Sequence, residues 1–430
     1  MRILHTSDWH LGRSFHGLHM TQEQKAVLDR LLDIIETRKT DVVIIAGDIY
    51  DRSVPPEEAV RLFDETLNSM VTRLGQKVIL IAGNHDNPGR LGFAQDLLRG
   101  QDVFITGPLA KDTDPVVLED EHGPVYFAPL TYTDPLIARE IFRTEEKEET
   151  LNAEAGTDTA ATAEAPADGN GMTQPDLFAA ADTAPGGREE TTEEAPIRTH
   201  EDALRRQISL MEAKIPRGAR SVAIAHVFLT GGAASEDTER PLTMGNTGGV
   251  SKDLFRNFTY TALGHLHRPQ KFGENIRYSG SLMKYAFSET DQRKGVYIID
   301  LDADGIAGIE TVPLEARHDL ASVKGSFADL MENPREELKE NFLEIILTDP
   351  TPILDAKNRL ETIYPHIMHL QYERLNRAPE EESIRREREN LSDYALAASF
   401  FEQVGGQPLT ENQERLLREA VEEVQKEDTP

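Results

Sequence analysis

Short apolar runs alternate with amphipathic stretches along the first part of the chain. Ile3-Leu4 and Val42-Val43-Ile44-Ile45 are continuous apolar runs. Between them, in the segment from Gln24 to Arg38, Val27, Leu28, Leu31, Leu32 and Ile35 recur at helical spacing. This pattern predicts a strand, a helix and a parallel strand. Pro55-Pro56 followed by Glu57-Glu58 predicts the start of a second helix, with Val60, Phe63, Leu67, Met70, Val71 and Leu74 on its apolar stripe. Val78-Ile79-Leu80-Ile81 then returns to strand. These stripes read as core.

Further on, Asp202 to Lys214 has a helical period, and Val222-Ala223-Ile224-Ala225 and Tyr260-Thr261-Ala262-Leu263 read as strands, each running into a histidine motif. Val296-Tyr297-Ile298-Ile299 and the run to Val312 suggest antiparallel strands of a second sheet. From His318 the pattern becomes a short strand, a helix near Phe327 to Met331, strand Phe342 to Leu347, helix Ile353 to Ile363 and strand Ile367 to Tyr372, a small α/β module. Residues 379–430 predict two amphipathic helices. One carries Leu391, Tyr394, Ala395, Ala398 and Phe401, and Gly405-Gly406 ends it. The other starts at a Thr410-x-x-Gln413 capping box and carries Leu416, Leu417, Ala420, Val421 and Val424. Such a hairpin needs a surface to lie on, either its own domain or a partner.

A chain of 430 residues exceeds one compact core. The expected division is a catalytic domain over 1–317, the α/β module over 318–378 and the helical tail over 379–430. There is no cysteine, so disulfides, thiolate metal sites and cysteine nucleophiles are excluded and any metal is held by N and O donors. The N-terminus enters a strand pattern directly, and no stretch is long and apolar enough to span a bilayer, so a soluble cytoplasmic, nucleoid-associated protein with no membrane partner is expected. The net charge of −30 argues against a polyanionic substrate. Much of that acid lies apart, however: between Thr144 and Thr199 fourteen acidic residues face only Lys147, Arg188 and Arg198. This stretch lacks an apolar period, so residues 144–200 read as a disordered insertion.

Five polar motifs follow the apolar runs: Asp8-Trp9-His10, Gly47-Asp48-Ile49-Tyr50-Asp51, Gly83-Asn84-His85-Asp86, His226, and Gly264-His265-Leu266-His267. In a Rossmann-like sheet all five fall at the carboxyl ends of strands, where ligands bind. Alternation along an extended segment lets Asp8 and His10 chelate one ion. Asp48 is placed to bridge two ions, and Asn84 offers a neutral oxygen that limits the charge facing a phosphate. His265 and His267 repeat the alternation, one for each ion, and His226 completes the second. Hard N and O donors favour Mn²⁺, Mg²⁺ or Fe²⁺ over structural Zn²⁺. Two such ions activate a water and clamp phosphate oxygens, with His85 turned towards the substrate.

These motifs resemble the calcineurin-like metallophosphoesterase superfamily, over residues 1–317. The whole layout is similar to the SbcD family of nuclease subunits within it, on Met1 to Gly12, Tyr278-Ser279-Gly280-Ser281, Ala286-Phe287-Ser288-Glu289, the α/β module and the helical tail. The resemblance implies an α/β fold, a two-sheet sandwich flanked by helices with a small α/β capping module and a C-terminal helical hairpin. It implies one metal on Asp8, His10, Asp48 and His267 and another on Asp48, Asn84, His226 and His265, with Mn²⁺ expected. His85 would then protonate or stabilise the leaving oxygen. Asp51 stands where some relatives carry histidine; its carboxylate is read either as the group that orients His85 or as an ordinary turn residue. Arg13, His16 and Arg90 lie beside the motifs as candidate contacts to DNA phosphates or as solvated loop residues.

The chain has no phosphate-binding Gly-x-x-x-x-Gly-Lys-Ser/Thr loop, so ATP dependence would come from a partner. The resemblance implies an SbcC-type coiled-coil ATPase docked on the terminal helices, and a homodimer within a heterotetramer. The expected activity is that of a DNA exonuclease and hairpin endonuclease in repair, recombination and replication. A small-molecule phosphoesterase shares every ligand and is the alternative; a non-catalytic scaffold would not need the intact set. Within the acidic insertion, Gln174 to Phe178, with Gln174, Leu177 and Phe178 as anchors, resembles the peptides that bind the bacterial sliding clamp.

Overall fold

The computed structural model describes residues 1–143, 196–233, 248–373, 409–410 and 412–417. They divide into two compact units, residues 1–320 and 321–430. Among the described residues no helix is long and apolar enough to cross a membrane.

The first unit is built on two six-stranded sheets. Strand β1 (Arg2–Thr6) pairs in parallel with β4 (Val42–Ala46), β4 with β5 (Lys77–Ile81), and β5 with β6 (Val103–Thr106). The short hairpin strands β2 (Ser14–Phe15) and β3 (Leu18–His19) lie between β1 and helix α1 (Thr21–Arg38). Every residue of β4 is buried, as expected of a parallel strand covered on both faces. The α1 stripe of Val27, Leu28, Leu31, Leu32 and Ile35 is buried as its spacing requires. The helix after Pro56, α2 (Glu57–Asn68), buries Leu62 and Phe63 and runs on into a π-helical turn at Ser69–Arg73. Val60, read as part of its stripe, is 44% exposed.

The second sheet contains β7 (Val116–Asp120), β8 (Gly123–Leu130), β9 (Ser221–His226), β12 (Tyr260–Gly264), β13 (Gln270–Phe272) and β14 (Ile276–Tyr278) in the order β13-β14-β12-β9-β8-β7, numbered after the two-residue strands β10 (Phe228–Leu229) and β11 (Gly249–Val250). Ile44, Ile79 and Ile81 of one sheet and Phe127, Val222 and Ile224 of the other share one buried cluster, the sandwich core. Helix α5 (His200–Lys214), which follows the four-residue α3 (Pro88–Leu91) and α4 (Gln95–Arg99), packs Leu204, Ile208 and Met211 on the outer face of the second sheet. Its Thr199/Asp202 capping box places defined structure before residue 200, inside the stretch read as insertion.

One expectation is corrected. Strands β15 (Gly295–Leu301) and β16 (Ile306–Pro313) do not found a second sheet. β15 lies antiparallel to β1, Ile3 opposite Ile299, and extends the first sheet to the order β16-β15-β1-β4-β5-β6. Periodicity shows that a segment is a strand and which face is apolar; it carries no information on which strand becomes its neighbour.

The second unit has a three-stranded sheet of β17 (Leu320–Gly325), β18 (Phe342–Leu347) and β19 (Ile367–Tyr372), with helices α6 (Phe327–Glu332) and α7 (Ala356–Glu361). Leu330, Leu343, Ile345, Leu347 and Leu360 form its core. At the second tail helix, Gln413 Oε1 accepts from the Thr410 backbone N–H at 2.9 Å, one half of the expected capping box. The rest of the tail, the acidic insertion from 144 to 195 and the clamp-like Gln174, Leu177 and Phe178 lie outside the described residues.

Candidate metal centre

Each of the five motifs sits where its strand ends. Asp8 and His10 follow β1, Asp48 follows β4, Asn84 and His85 follow β5, His226 closes β9, and His265 and His267 follow β12. The route by which they converge differs from simple alternation along extended chain. Asp8, His10, Asp48 and His265 all have positive φ, at 53°, 45°, 51° and 105°. Such conformations cost non-glycine residues of order 1–3 kcal/mol each and persist where the surroundings enforce them, as at ligand sites. Here Gly47 O accepts from Asp8 N–H at 3.1 Å and Asp48 O from His10 N–H at 3.0 Å. Gln24 Nε2 donates to His10 O at 2.7 Å, and Tyr285 Oη to Trp9 O at 2.6 Å.

The glycines are required by close approach. A Cβ on Gly83 would collide with Asp48 Oδ1 and its backbone N, and one on Gly264 with Ala46 O.

At the first site, His10 Nε2 and His267 Nε2 stand 3.0 Å apart, beside Asp8. His267 Nδ1 is 3.2 Å from Glu289 Oε1, the donor position on that ring. Among the described residues His10 Nδ1 has no hydrogen-bond partner; it lies 3.7 Å from Asp51 Oδ1. Protons on both Nδ1 atoms leave two Nε2 lone pairs facing one point, which repel unless a cation takes them. At the second site, His226 Nδ1 donates to Ala46 O at 2.9 Å, so its Nε2 faces Asn84 Oδ1 at 2.9 Å. His265 Nδ1 reaches the same oxygen at 3.1 Å. Asp48 Oδ2 lies 3.6 Å from His10 Nε2 and 3.4 Å from His226 Nε2, between the two groups. All seven predicted ligands therefore converge.

The electrostatics fit cations. Asp8 and Asp48 are buried, and an unpaired buried carboxylate is costly. Burial raises Asp8; for Asp48 it does the same but is outweighed by His226, His10 and His85, which hold it well below the usual range. Burial pulls His226 down, yet Asp48 and Asp8 drive it up to about 9. His10 and His265 are pushed down by burial, His265 to about 3, and stay neutral as ligands must. A buried cluster of N and O donors that demands positive charge suits a pair of hard divalent ions.

Asp51 acts differently from expectation. His85 Nδ1 donates at 2.9 Å to the backbone carbonyl of Asp51, not to its carboxylate. The carboxylate instead pairs with Arg13 Nη1 at 3.2 Å and faces His10. The turn after Asp48 directs the side chain back to the β1 loop and leaves the carbonyl towards His85. Arg13 is thus held at the site by Asp51 and packs over the Tyr285 ring at 5.2 Å. His16 is exposed at the β2-β3 tip; Arg90 is exposed on α3, where its backbone N–H donates to Asn87.

Sequence reasoning passed over several supports. Asp86 accepts from the backbone N–H groups of Gly83, Ile49 and Tyr50 at 2.9, 3.1 and 2.9 Å, tying two ligand loops together. Burial and Asp48 push its carboxyl up to about 7. Glu289, fully buried, also accepts from Tyr285 N–H and pairs with Lys294, each at 3.0 Å. Burial raises it, but His267 and Lys294 outweigh that and hold it at about 2. Both carboxylates lie inside motifs that the sequence already singles out, which was the available signal.

Residues 1–173 match the profile described as calcineurin-like phosphoesterase, and residues 316–405 match that described as type 5 capsule protein repressor C-terminal domain. The chain is 29% identical over 421 residues to the SbcD subunit of nuclease SbcCD from Staphylococcus saprophyticus, covering 97% of this chain and 96% of the relative. It is 29% identical over 372 residues to the corresponding SbcD subunit from Staphylococcus epidermidis, covering 86% and 85%. A solved dimetal phosphatase from Danio rerio aligns with a TM-score of 0.36 and 10% identity, over 73% of this chain and 99% of that one.

Proposed function

We propose that this chain, whose residues 1–173 match the calcineurin-like phosphoesterase profile, is the metal-dependent nuclease subunit of an SbcCD-type complex, hydrolysing DNA phosphodiesters. The observation that carries this reading is the pairing, in one chain, of the phosphoesterase centre with a C-terminal segment matched by a second profile, in relatives that align nearly end to end. A small-molecule phosphoesterase would need the first and not the second.

Two bound divalent ions, with Mn²⁺ as our choice over Mg²⁺ or Fe²⁺, would supply an acidified water and neutralise phosphate charge. Asp8, His10, Asp48 and His267 would hold one and Asp48, Asn84, His226 and His265 the other. The chain's own groups do the rest. Asp51 O fixes the ring of His85 through Nδ1, so that Nε2, 4.0 Å from Asp48 Oδ2, is the nitrogen that passes a proton to the leaving oxygen. Arg13, held by Asp51, offers a guanidinium to a phosphate beside the centre. We extend the reading to an SbcC-type ATPase partner, a homodimer within a heterotetramer, a cytoplasmic role in DNA repair and recombination, and a clamp-binding peptide in the acidic insertion.

The test compares wild type with His85→Leu on a DNA hairpin and on bis-p-nitrophenyl phosphate, with and without Mn²⁺. Hydrolysis of the small ester alone by wild type would defeat the nuclease reading. Undiminished hairpin cleavage by the variant would defeat the role of His85.

A further inference from the structure

Three aromatic side chains stand together at the rim of the metal centre, and none of them belongs to the ligand set. Phe15 and Phe287 approach with ring centroids 5.1 Å apart, and His16 lies 4.6 Å from Phe15 and 5.5 Å from Phe287. Phe15 and Phe287 are half-buried and His16 is exposed. A phenylalanine in the core of this unit, such as Phe127 or Phe255, is fully buried, so the rim pair is not spare core.

Both segments that carry the group are anchored to the centre two residues away. Phe15 follows Arg13, which is bound to Asp51, and Phe287 follows Tyr285, whose ring lies 5.9 Å from that of His10 and 6.1 Å from that of His267. Arg13 and Tyr285 also pack on each other. Two residues of chain span at most roughly 7 Å, so the backbones of Phe15 and Phe287 lie within that reach of Arg13 and Tyr285, which themselves pack against the centre. Next along the second segment, Glu289 holds His267. The first segment is the β2-β3 hairpin, closed by His16 at φ 46° and Gly17 at φ 81°, the positive-φ pair that a two-residue hairpin loop favours.

We infer that Phe15, His16 and Phe287 form a stacking clamp for an unpaired nucleobase, next to the phosphodiester that the centre cleaves. This rests on the nuclease reading and deepens it. Aromatic faces take any base, and stacking tolerates sequence. The phosphate and sugar would be gripped by the centre and Arg13. The base, splayed out at a DNA end or hairpin loop, is what the rings add, so the clamp selects nucleic acid with unstacked bases over a fully stacked duplex.

The test measures kcat/KM of the full chain with Mn²⁺ on a DNA hairpin, and on the same hairpin with an abasic nucleotide beside the cleaved bond. It uses wild type, Phe15→Leu, Phe287→Leu, and Phe287→Trp as the rescuing variant. Leucine keeps the apolar bulk, and thermal midpoints report folding. Stacking worth about 1–3 kcal/mol per base corresponds to roughly 5- to 150-fold. Wild type should therefore prefer the base-bearing hairpin by about fivefold or more, the leucine variants by less than about twofold, and Phe287→Trp by the wild-type factor. Equal discrimination by wild type and leucine variants would overturn the clamp while leaving the nuclease reading standing, as would wild type that ignores the missing base. If wild type hydrolysed bis-p-nitrophenyl phosphate but neither hairpin, the nuclease reading would fail and the clamp with it.

Discussion

Glu289→Gln separates two effects that meet on one buried carboxylate. The substitution keeps shape and removes charge. Glu289 is fully buried and satisfies Lys294 Nζ, Tyr285 N–H and His267 Nδ1 at 3.0, 3.0 and 3.2 Å. The Lys294 side chain is only 3% exposed, so loss of its counter-charge leaves a buried ammonium. Breaking a buried ion pair from one side costs about 3–5 kcal/mol. Lys294 keeps His267 O at 2.8 Å and Gln292 Oε1 at 2.7 Å as acceptors, which places the expected loss near the lower figure. Separately, His267 loses the carboxylate that orients its ring, and removal of such a partner costs about 10- to 100-fold in metal affinity. Urea unfolding of apo protein measures the first effect, and calorimetric titration of folded protein with Mn²⁺ the second. Adding Lys294→Met removes the stranded charge, so the double variant should regain most of the stability while metal binding stays weak. The reasoning is refuted if Glu289→Gln loses less than about 1 kcal/mol, or if the coupling energy in the double-mutant cycle is below about 0.5 kcal/mol. It is also refuted if Lys294→Met restores Mn²⁺ affinity.

Gly83→Ala drives a Cβ into Asp48 and its backbone, where neither side can yield cheaply. About 1–3 kcal/mol of stability should be lost, as for overpacking, and calorimetric Mn²⁺ binding should fall by at least tenfold. A variant with wild-type Mn²⁺ binding would contradict the close approach. Chelation should lower the thermal midpoint without unfolding the domain, since the cores of both sheets contain no ligand. Ions held at 100 times Kd stabilise by about 2.7 kcal/mol, so a scan with excess Mn²⁺ against EDTA that shows no difference would argue against tight sites. The hydrogen bonds from Arg220 hold Asp120 well below the usual carboxylate range. A depressed folded pKa gives stability that is present above the unfolded value near about 3.9 and is lost as pH falls below it. Asp120→Asn should therefore be less stable at pH 7 and lose less than wild type between about pH 5 and 2; parallel acid curves would contradict this.

Much of this protein was determined by local sequence. The strand runs, the α1 stripe and the five polar motifs that hold the candidate ligands could be read from the chain, because periodicity of 2 or 3.6 and short polar motifs are local properties, whereas the positive-φ turns that bring those side chains together could not. Tertiary structure decided the rest, wherever the answer depended on what a segment meets. Strand β15 joined the first sheet by pairing with β1, and β16 by pairing with β15, and no pattern within them names those neighbours. Asp48 lies between two sites only because loops after β1, β5 and β9 surround it. Asp51 turned its carboxylate to Arg13 and its carbonyl to His85, a matter of one turn's direction. Glu289 and Lys294, five residues apart in sequence, became a buried pair supporting His267 from behind. Sequence states which donors are present; burial and distance determine which are charged, which are neutral, and which face the same point.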